Sequence, residues 1–105
     1  MMFGIPKKSM DLITGALSAF PEIEKASFFG SRAMGNYKNG SDVDLVVYGS
    51  RLTPEMLNRL SRQLNEELPL AYYFDLVHYD TLQQGALKDH IDEYAKCFYK
   101  CPQTN

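Results

Sequence analysis

Two aspartates flank a single valine where an apolar run begins, in Asp42-Val43-Asp44-Leu45, and a glycine-serine pair, Gly30-Ser31, stands where the previous apolar run ends. Side chains two positions apart on a strand leave the same face with Cα atoms about 6.5 to 7 Å apart, so both carboxylates can reach one metal ion. Magnesium takes oxygen ligands at about 2.0 to 2.1 Å and fills the rest of its octahedron with water and phosphate. A carboxylate pair facing a phosphate-binding turn suits it, and two ions bridged by the acids fit the same reading. Gly30 lacks a side chain, which lets an anion approach the backbone. Ser31 stands at a helix start, with a hydroxyl, free amide hydrogens and the positive end of the dipole. These residue types predict a site for a nucleoside triphosphate and magnesium between Gly30-Ser31 and Asp42/Asp44, the turn taking the β- and γ-phosphates. Arg32 and Lys38 share the connection and are candidates to neutralise triphosphate charge, with a solvated surface cation as the equal alternative for each.

A third acid, Asp75, sits in the apolar run Tyr73-Phe74-Asp75-Leu76-Val77. Such surroundings make an ionised carboxylate costly unless a cation or hydrogen bonds compensate it, so Asp75 is expected to have a partner. On a strand beside Asp42 and Asp44 it would complete a three-carboxylate metal site and could accept the proton of an attacking hydroxyl. The lesser alternative is an acid on an exposed strand edge. His78 is expected on the opposite strand face, partly buried and not catalytic. His90 lies among Lys88, Asp89, Asp92 and Glu93 and reads as part of a solvated helix face, with no role assigned. Tyr72-Tyr73-Phe74 read as core or interface contacts in preference to a platform for a base.

Strands and helices must hold these groups, and the apolar pattern supplies them. Met10, Ile13, Leu17 and Phe20 recur at helical spacing behind Ser9, a possible cap, and predict a helix over 8–20 that Pro21 ends. Two short apolar runs, 26–29 and 43–48, stop at Gly30 and Gly49 and read as strands, with a helix starting at Ser31 between them. Thr53-Pro54-Glu55 opens a further helix with a capping hydroxyl, a proline at the first position and an acid in the first turn. Leu57, Leu60, Leu64 and Leu68 form its buried stripe, and Pro69 closes it. Residues 72–78 read as a third strand, Asp80 or Thr81 as the cap of a final helix running to Ala95, and Cys97-Phe98-Tyr99 as a terminal edge strand. Strands alternating with helices predict an α/β architecture in one domain spanning 1–105.

Bulk properties set outer limits. The chain has 105 residues, 45% apolar and 23% charged, which is the composition of a folded domain and too apolar for disorder. No apolar run approaches the ~20 residues of a membrane helix, and the first eight residues lack the layout of a secretory signal, so a cytoplasmic protein is expected. A formal net charge of -2 argues against a long nucleic acid as acceptor, because proteins that track one carry a basic stripe. Cys97 and Cys101 are expected as free thiols, since no second pair or nearby histidine completes a zinc set.

The pattern Gly30-Ser31, ten residues from Arg32 to Ser41, then Asp42-Val43-Asp44 resembles the signature of the nucleotidyltransferase fold of the DNA polymerase beta superfamily. Within it, the chain is similar over most of its length to the minimal nucleotidyltransferases often encoded as antitoxins. The resemblance implies a small mixed sheet backed by helices, an α/β (α+β) fold. It implies two magnesium ions held by Asp42 and Asp44, Asp75 as third ligand and base, and Gly30-Ser31 gripping the triphosphate; the third acid has no fixed spacing in the family. The implied reaction moves a nucleoside monophosphate, AMP from ATP, onto a hydroxyl and releases pyrophosphate. Larger members add a helical domain for the acceptor, and with so few residues after the third strand none is expected here. The minimal family works with a small all-helical companion of the HEPN type, adenylylated on tyrosine in characterised systems, so a partner's tyrosine is the expected acceptor in a toxin-antitoxin pair. Two other readings stand beside this one. A non-catalytic antitoxin would occlude its partner, and the three acids count against it; an enzyme for a small molecule such as an aminoglycoside would turn over without the companion or as a homo-oligomer.

Overall fold

A computed structural model, which describes residues 3–37 and 42–101, places Met10, Ile13 and Leu17 on the buried face of a first helix, α1 (Lys7–Ser18). It starts before the predicted Ser9 cap: Pro6 takes the N-cap position at φ -62°, where its ring geometry and missing N–H carry little penalty. It also ends before Pro21, because the chain turns at Ala19 to bring Phe20 and Ile23 into the core. After β1 (Lys25–Phe29), Gly30 adopts φ 71°, a left-handed conformation that side chains disfavour, and a single helical turn follows, α2 (Ser31–Met34).

The next elements are β2 (Val43–Tyr48) and α3 (Pro54–Arg62), whose Thr53 cap accepts the Met56 amide at 3.2 Å as predicted. A π-helical turn over Gln63–Glu67 extends α3 and keeps Leu64 in the core. The third strand, β3 (Phe74–His78), is shorter than 72–78. Asn65 sets its start: the side-chain carbonyl accepts from Phe74 N at 2.7 Å while the amide donates to Phe74 O at 3.0 Å. Asp80 does not cap a helix. Its carboxylate accepts the Gly49 amide at 2.9 Å, a 3-10 turn covers Tyr79–Thr81, and α4 (Ala86–Tyr94) begins only after Gly85. The predicted edge strand forms as β4 (Lys96–Lys100).

The sheet order is β3-β2-β1-β4. β1 runs antiparallel to β2 and β4, whereas β2 and β3 are parallel, giving the mixed sheet of an α/β fold. Strand alternation divides β2 in two. Val43, Leu45 and Val47 join Ile13, Leu17, Phe28, Leu60 and Leu64 in the main core, while the opposite face presents Asp44, Val46 and Tyr48. That face receives α4, whose Ile91 packs on Phe29 and Val46. His78 is buried, with Nε2 2.7 Å from the Gly49 carbonyl, as a strand histidine facing away from Asp75 should be. Among the described residues no helix is long and apolar enough to cross a membrane, and Cys97 and Cys101 are free thiols.

Candidate functional site

The antiparallel pairing of β1 with β2 sets Phe29 opposite Asp44, so the glycine turn leaving β1 and the acids opening β2 lie side by side. The approach is close enough that a Cβ on Gly30 would overlap the Asp44 carboxylate at Oδ2. A side chain at this position would strain the backbone and displace the acid together. The parallel pairing of β2 with β3 then sets Asp75 opposite Asp44. Asp44 therefore borders the glycine turn, with Asp75 beside it on the next strand and the charge of Asp42, just ahead of β2, also acting on it.

Their electrostatics are unequal. Asp44 is half-buried, and its carboxyl is pushed above the ordinary carboxylate value first by burial and then by the negative charges of Asp75 and Asp42. The nearby His90 ring, when charged, pulls the other way. Asp75 departs from the sequence expectation: it is exposed, on the edge strand β3, while its neighbours Phe74 and Leu76 turn into the core on the other face. The carboxylate that burial makes costly is Asp44, and Asp75 is at once an edge acid and a register neighbour of the pair.

Among the described residues no three His, Cys, Asp or Glu side chains converge into a ready-made metal cage. The strands present an open carboxylate face instead, with one half-buried acid crowded by like charge. A hard divalent cation fits this donor set, because magnesium binds through one or two carboxylates and completes its shell with water and phosphate oxygens.

Folding should make the crowding measurable. A carboxyl whose folded value lies above its unfolded one binds protons more readily in the folded state, so stability falls as pH rises from 3.8 through the folded value. Asp44→Asn is therefore expected to melt above wild type at pH 7 in a chelator, the gap narrowing as pH falls towards 3.8. Equal melting temperatures at both pH values would show that Asp44 is not under strain.

Of the two cations of the connection, Arg32 does not take the surface alternative. It is 2% exposed, and Nη1 donates to the carbonyls of Phe3 at 3.2 Å and Gly4 at 3.4 Å. Its guanidinium lies 4.6 Å from the Tyr37 ring centroid and 5.0 Å from that of Tyr72. Arg32 thus ties the glycine turn to the N-terminal segment and to the residues leading into β3. Arg32→Met is expected to cost about 2 to 4 kcal/mol in denaturant unfolding, since it strands two carbonyls and removes the stacked charge. A loss under about 0.5 kcal/mol, the scale of an exposed position, would contradict that placement. Lys38 lies outside the described residues.

His90 is the residue that the sequence reading passes over. The Gly30 amide donates to its Nε2 at 3.1 Å, and the ring stands edge-on to Phe29 with centroids 6.2 Å apart. Its charged neighbours suggest a solvated face. The signal against that is Ile91, the one apolar residue between Lys88 and Glu93, which marks the side of the helix that meets the sheet and has His90 beside it.

The sequence profile of the family described as Polymerase beta, Nucleotidyltransferase matches residues 12–103. No curated protein matches the chain in sequence. Among solved structures, a chain of a toxin-antitoxin crystal structure with AMP-PNP aligns with TM-score 0.71 at 18% identity, over 93% of this chain and 76% of that one. A chain of the MntA-HepT toxin-antitoxin structure aligns with TM-score 0.68 at 18% identity, over 90% and 73% respectively. A chain of the complex between the tri-AMPylated Shewanella oneidensis HEPN toxin and its MNT antitoxin aligns with TM-score 0.61 at 19% identity, over 90% and 68%. At these identities the likeness is one of fold.

Proposed function

We infer, since the chain belongs to the polymerase beta nucleotidyltransferase family, that it transfers AMP from ATP to a tyrosine hydroxyl on a small helical HEPN-type partner, as the antitoxin of a toxin-antitoxin pair. The observation that carries this reading is the contact of Gly30 with the Asp44 carboxylate, with Asp75 in register beside it. A phosphate-binding turn and an acid cluster have separate uses elsewhere; a turn built against an acid cluster suits a metal-triphosphate complex. The choice of partner draws support from three solved structures of like fold that are toxin-antitoxin complexes, one of them with a tri-AMPylated HEPN toxin.

In this reading Gly30 and Ser31 hold the β- and γ-phosphates. Arg32 secures the turn from its inner side, and Lys38 answers triphosphate charge from the connection. Asp42 and Asp44 hold magnesium with Asp75 as third carboxylate, and the bound metal would offset the charge of the triphosphate and of the departing pyrophosphate. Asp75, exposed at the sheet edge, meets the incoming tyrosine and takes its proton as the phenolic oxygen bonds to the α-phosphorus and the bond to pyrophosphate breaks. Exposure suits this task, since the acceptor arrives on another molecule. The reaction belongs in the cytoplasm, where the nucleotide and the metal are supplied.

The test follows label from the α-phosphate of ATP into a purified HEPN-type protein encoded beside this chain. Magnesium-dependent label is expected on the partner and should vanish when the partner's tyrosines are changed to phenylalanine. Neutralisation of the partner without any label would replace transfer by occlusion, and label on an aminoglycoside with none on the partner would replace the acceptor.

A further inference from the structure

The turn that borders the acids is held from a second side. His90, on α4, lies 60 positions from Gly30 in sequence, and its Nε2 accepts the Gly30 amide at 3.1 Å. With Nε2 as acceptor the ring is neutral and carries its proton on Nδ1. The ring is steadied by Phe29, edge-on, and by Tyr94, whose centroid is 5.2 Å away. Gly30 is thus fixed between an imidazole on its N–H and the Asp44 carboxylate at its Cα.

The division of labour on α4 separates this contact from folding. Ile91, 2% exposed, docks the helix on Phe29 and Val46, whereas His90 is half-buried and spends its ring nitrogen on the turn. Glycine at φ 71° has wide conformational freedom, so the peptide plane between Phe29 and Gly30 needs an external partner to hold one orientation. We propose that His90 is a positioning residue of the nucleotide site, setting the peptide plane of the Gly30 turn so that Ser31 and Asp44 face the triphosphate together. The proposal rests on the nucleotidyltransferase reading above.

The experiment compares His90→Phe, which keeps a ring against Phe29 and Tyr94 but has no acceptor, with His90→Gln, whose amide oxygen reaches the same place. Magnesium-ATP binding is measured by calorimetry, transfer by the label assay, and the Gly30 amide by its proton and nitrogen shifts in the ligand-free protein. For His90→Phe the Gly30 amide signal should move, and both the dissociation constant and KM for ATP should rise about fivefold to tenfold, the scale of one hydrogen bond, with kcat within about twofold. His90→Gln should recover most of the affinity. An unmoved Gly30 signal, or equal affinity in His90→Phe and wild type, would overturn the inference while leaving the transferase reading standing. Failure of wild type to bind magnesium-ATP would overturn both. Should His90→Phe not fold, His90→Gln against the shorter His90→Asn puts the same question, and equal affinities in that pair would overturn the inference.

Discussion

Changing Asp42 and Asp44 together to asparagine is expected to abolish magnesium-dependent binding of ATP while the protein remains folded. Neither carboxylate supports the core. Asp42 is exposed ahead of β2, and Asp44 leaves the face opposite Val43, Leu45 and Val47, which do the packing. Asparagine keeps size and shape and removes the charge that a cation would meet. In wild type, magnesium-ATP at a hundredfold excess over its dissociation constant should stabilise the fold by about 2.7 kcal/mol, and ATP in a chelator by far less. The double variant should show the same small shift in both conditions, from a ligand-free baseline at or above that of wild type because the like-charge crowding on Asp44 is gone. Thermal melting reads all of this. A wild-type shift indifferent to chelator would remove the metal site, and an unfolded double variant would mean that the strand face is misassigned.

These outcomes bear on a trade between stability and chemistry. Asp44 is held half-buried between two other acids, an arrangement that costs the ligand-free fold and that bound positive charge would relieve. The acids are positioned by strands whose opposite faces are core, so the strain is carried by a rigid scaffold: β2 is paired on both sides, to β1 and to β3. Gly30 adds the converse device, a residue without a side chain where any side chain would collide with the acid.

The part of the site readable in sequence is the part that local geometry decides. Alternation along β2 turns Asp44 away from Val43, Leu45 and Val47 whatever the rest of the chain does, and a glycine after an apolar run marks a turn. Sheet order is a different matter. Asp75 sits in an apolar run and reads as buried, but β3 is an edge strand, so the run buries one face and leaves the acid in solvent, and the burial penalty falls on Asp44. Arg32 could not be placed without knowing that the carbonyls of Phe3 and Gly4, 29 and 28 positions away, come back to meet it. His90 depends on a contact across 60 positions, between a helix that looks polar and a turn that looks complete without it. The late start of α4 shares this origin: Asp80 looks like a cap because it is an aspartate before an apolar-periodic stretch, yet the Gly49 amide claims its carboxylate first.

Asp75→Asn is expected to separate binding from transfer. The three acids differ in placement: Asp44 belongs to the strand that meets the glycine turn and Asp42 lies just ahead of it, whereas Asp75 stands one strand further out, exposed, where an acceptor hydroxyl can arrive. In the variant, magnesium-ATP should still bind, because Asp42 and Asp44 keep their charge; the Asp44 carboxyl should also ionise more readily, since one of the two like charges that raise it has gone. Transfer should slow by about a hundredfold to ten-thousandfold from loss of the general base alone, and a weakened third metal ligand would add to that. The label assay with the helical partner measures the rate, calorimetry the affinity, and the two together decide the role. A slow variant with unchanged affinity assigns Asp75 to proton transfer. A variant that loses affinity in step with rate makes it a metal ligand first, and one that labels the partner as fast as wild type leaves it the bystander acid of an exposed strand edge.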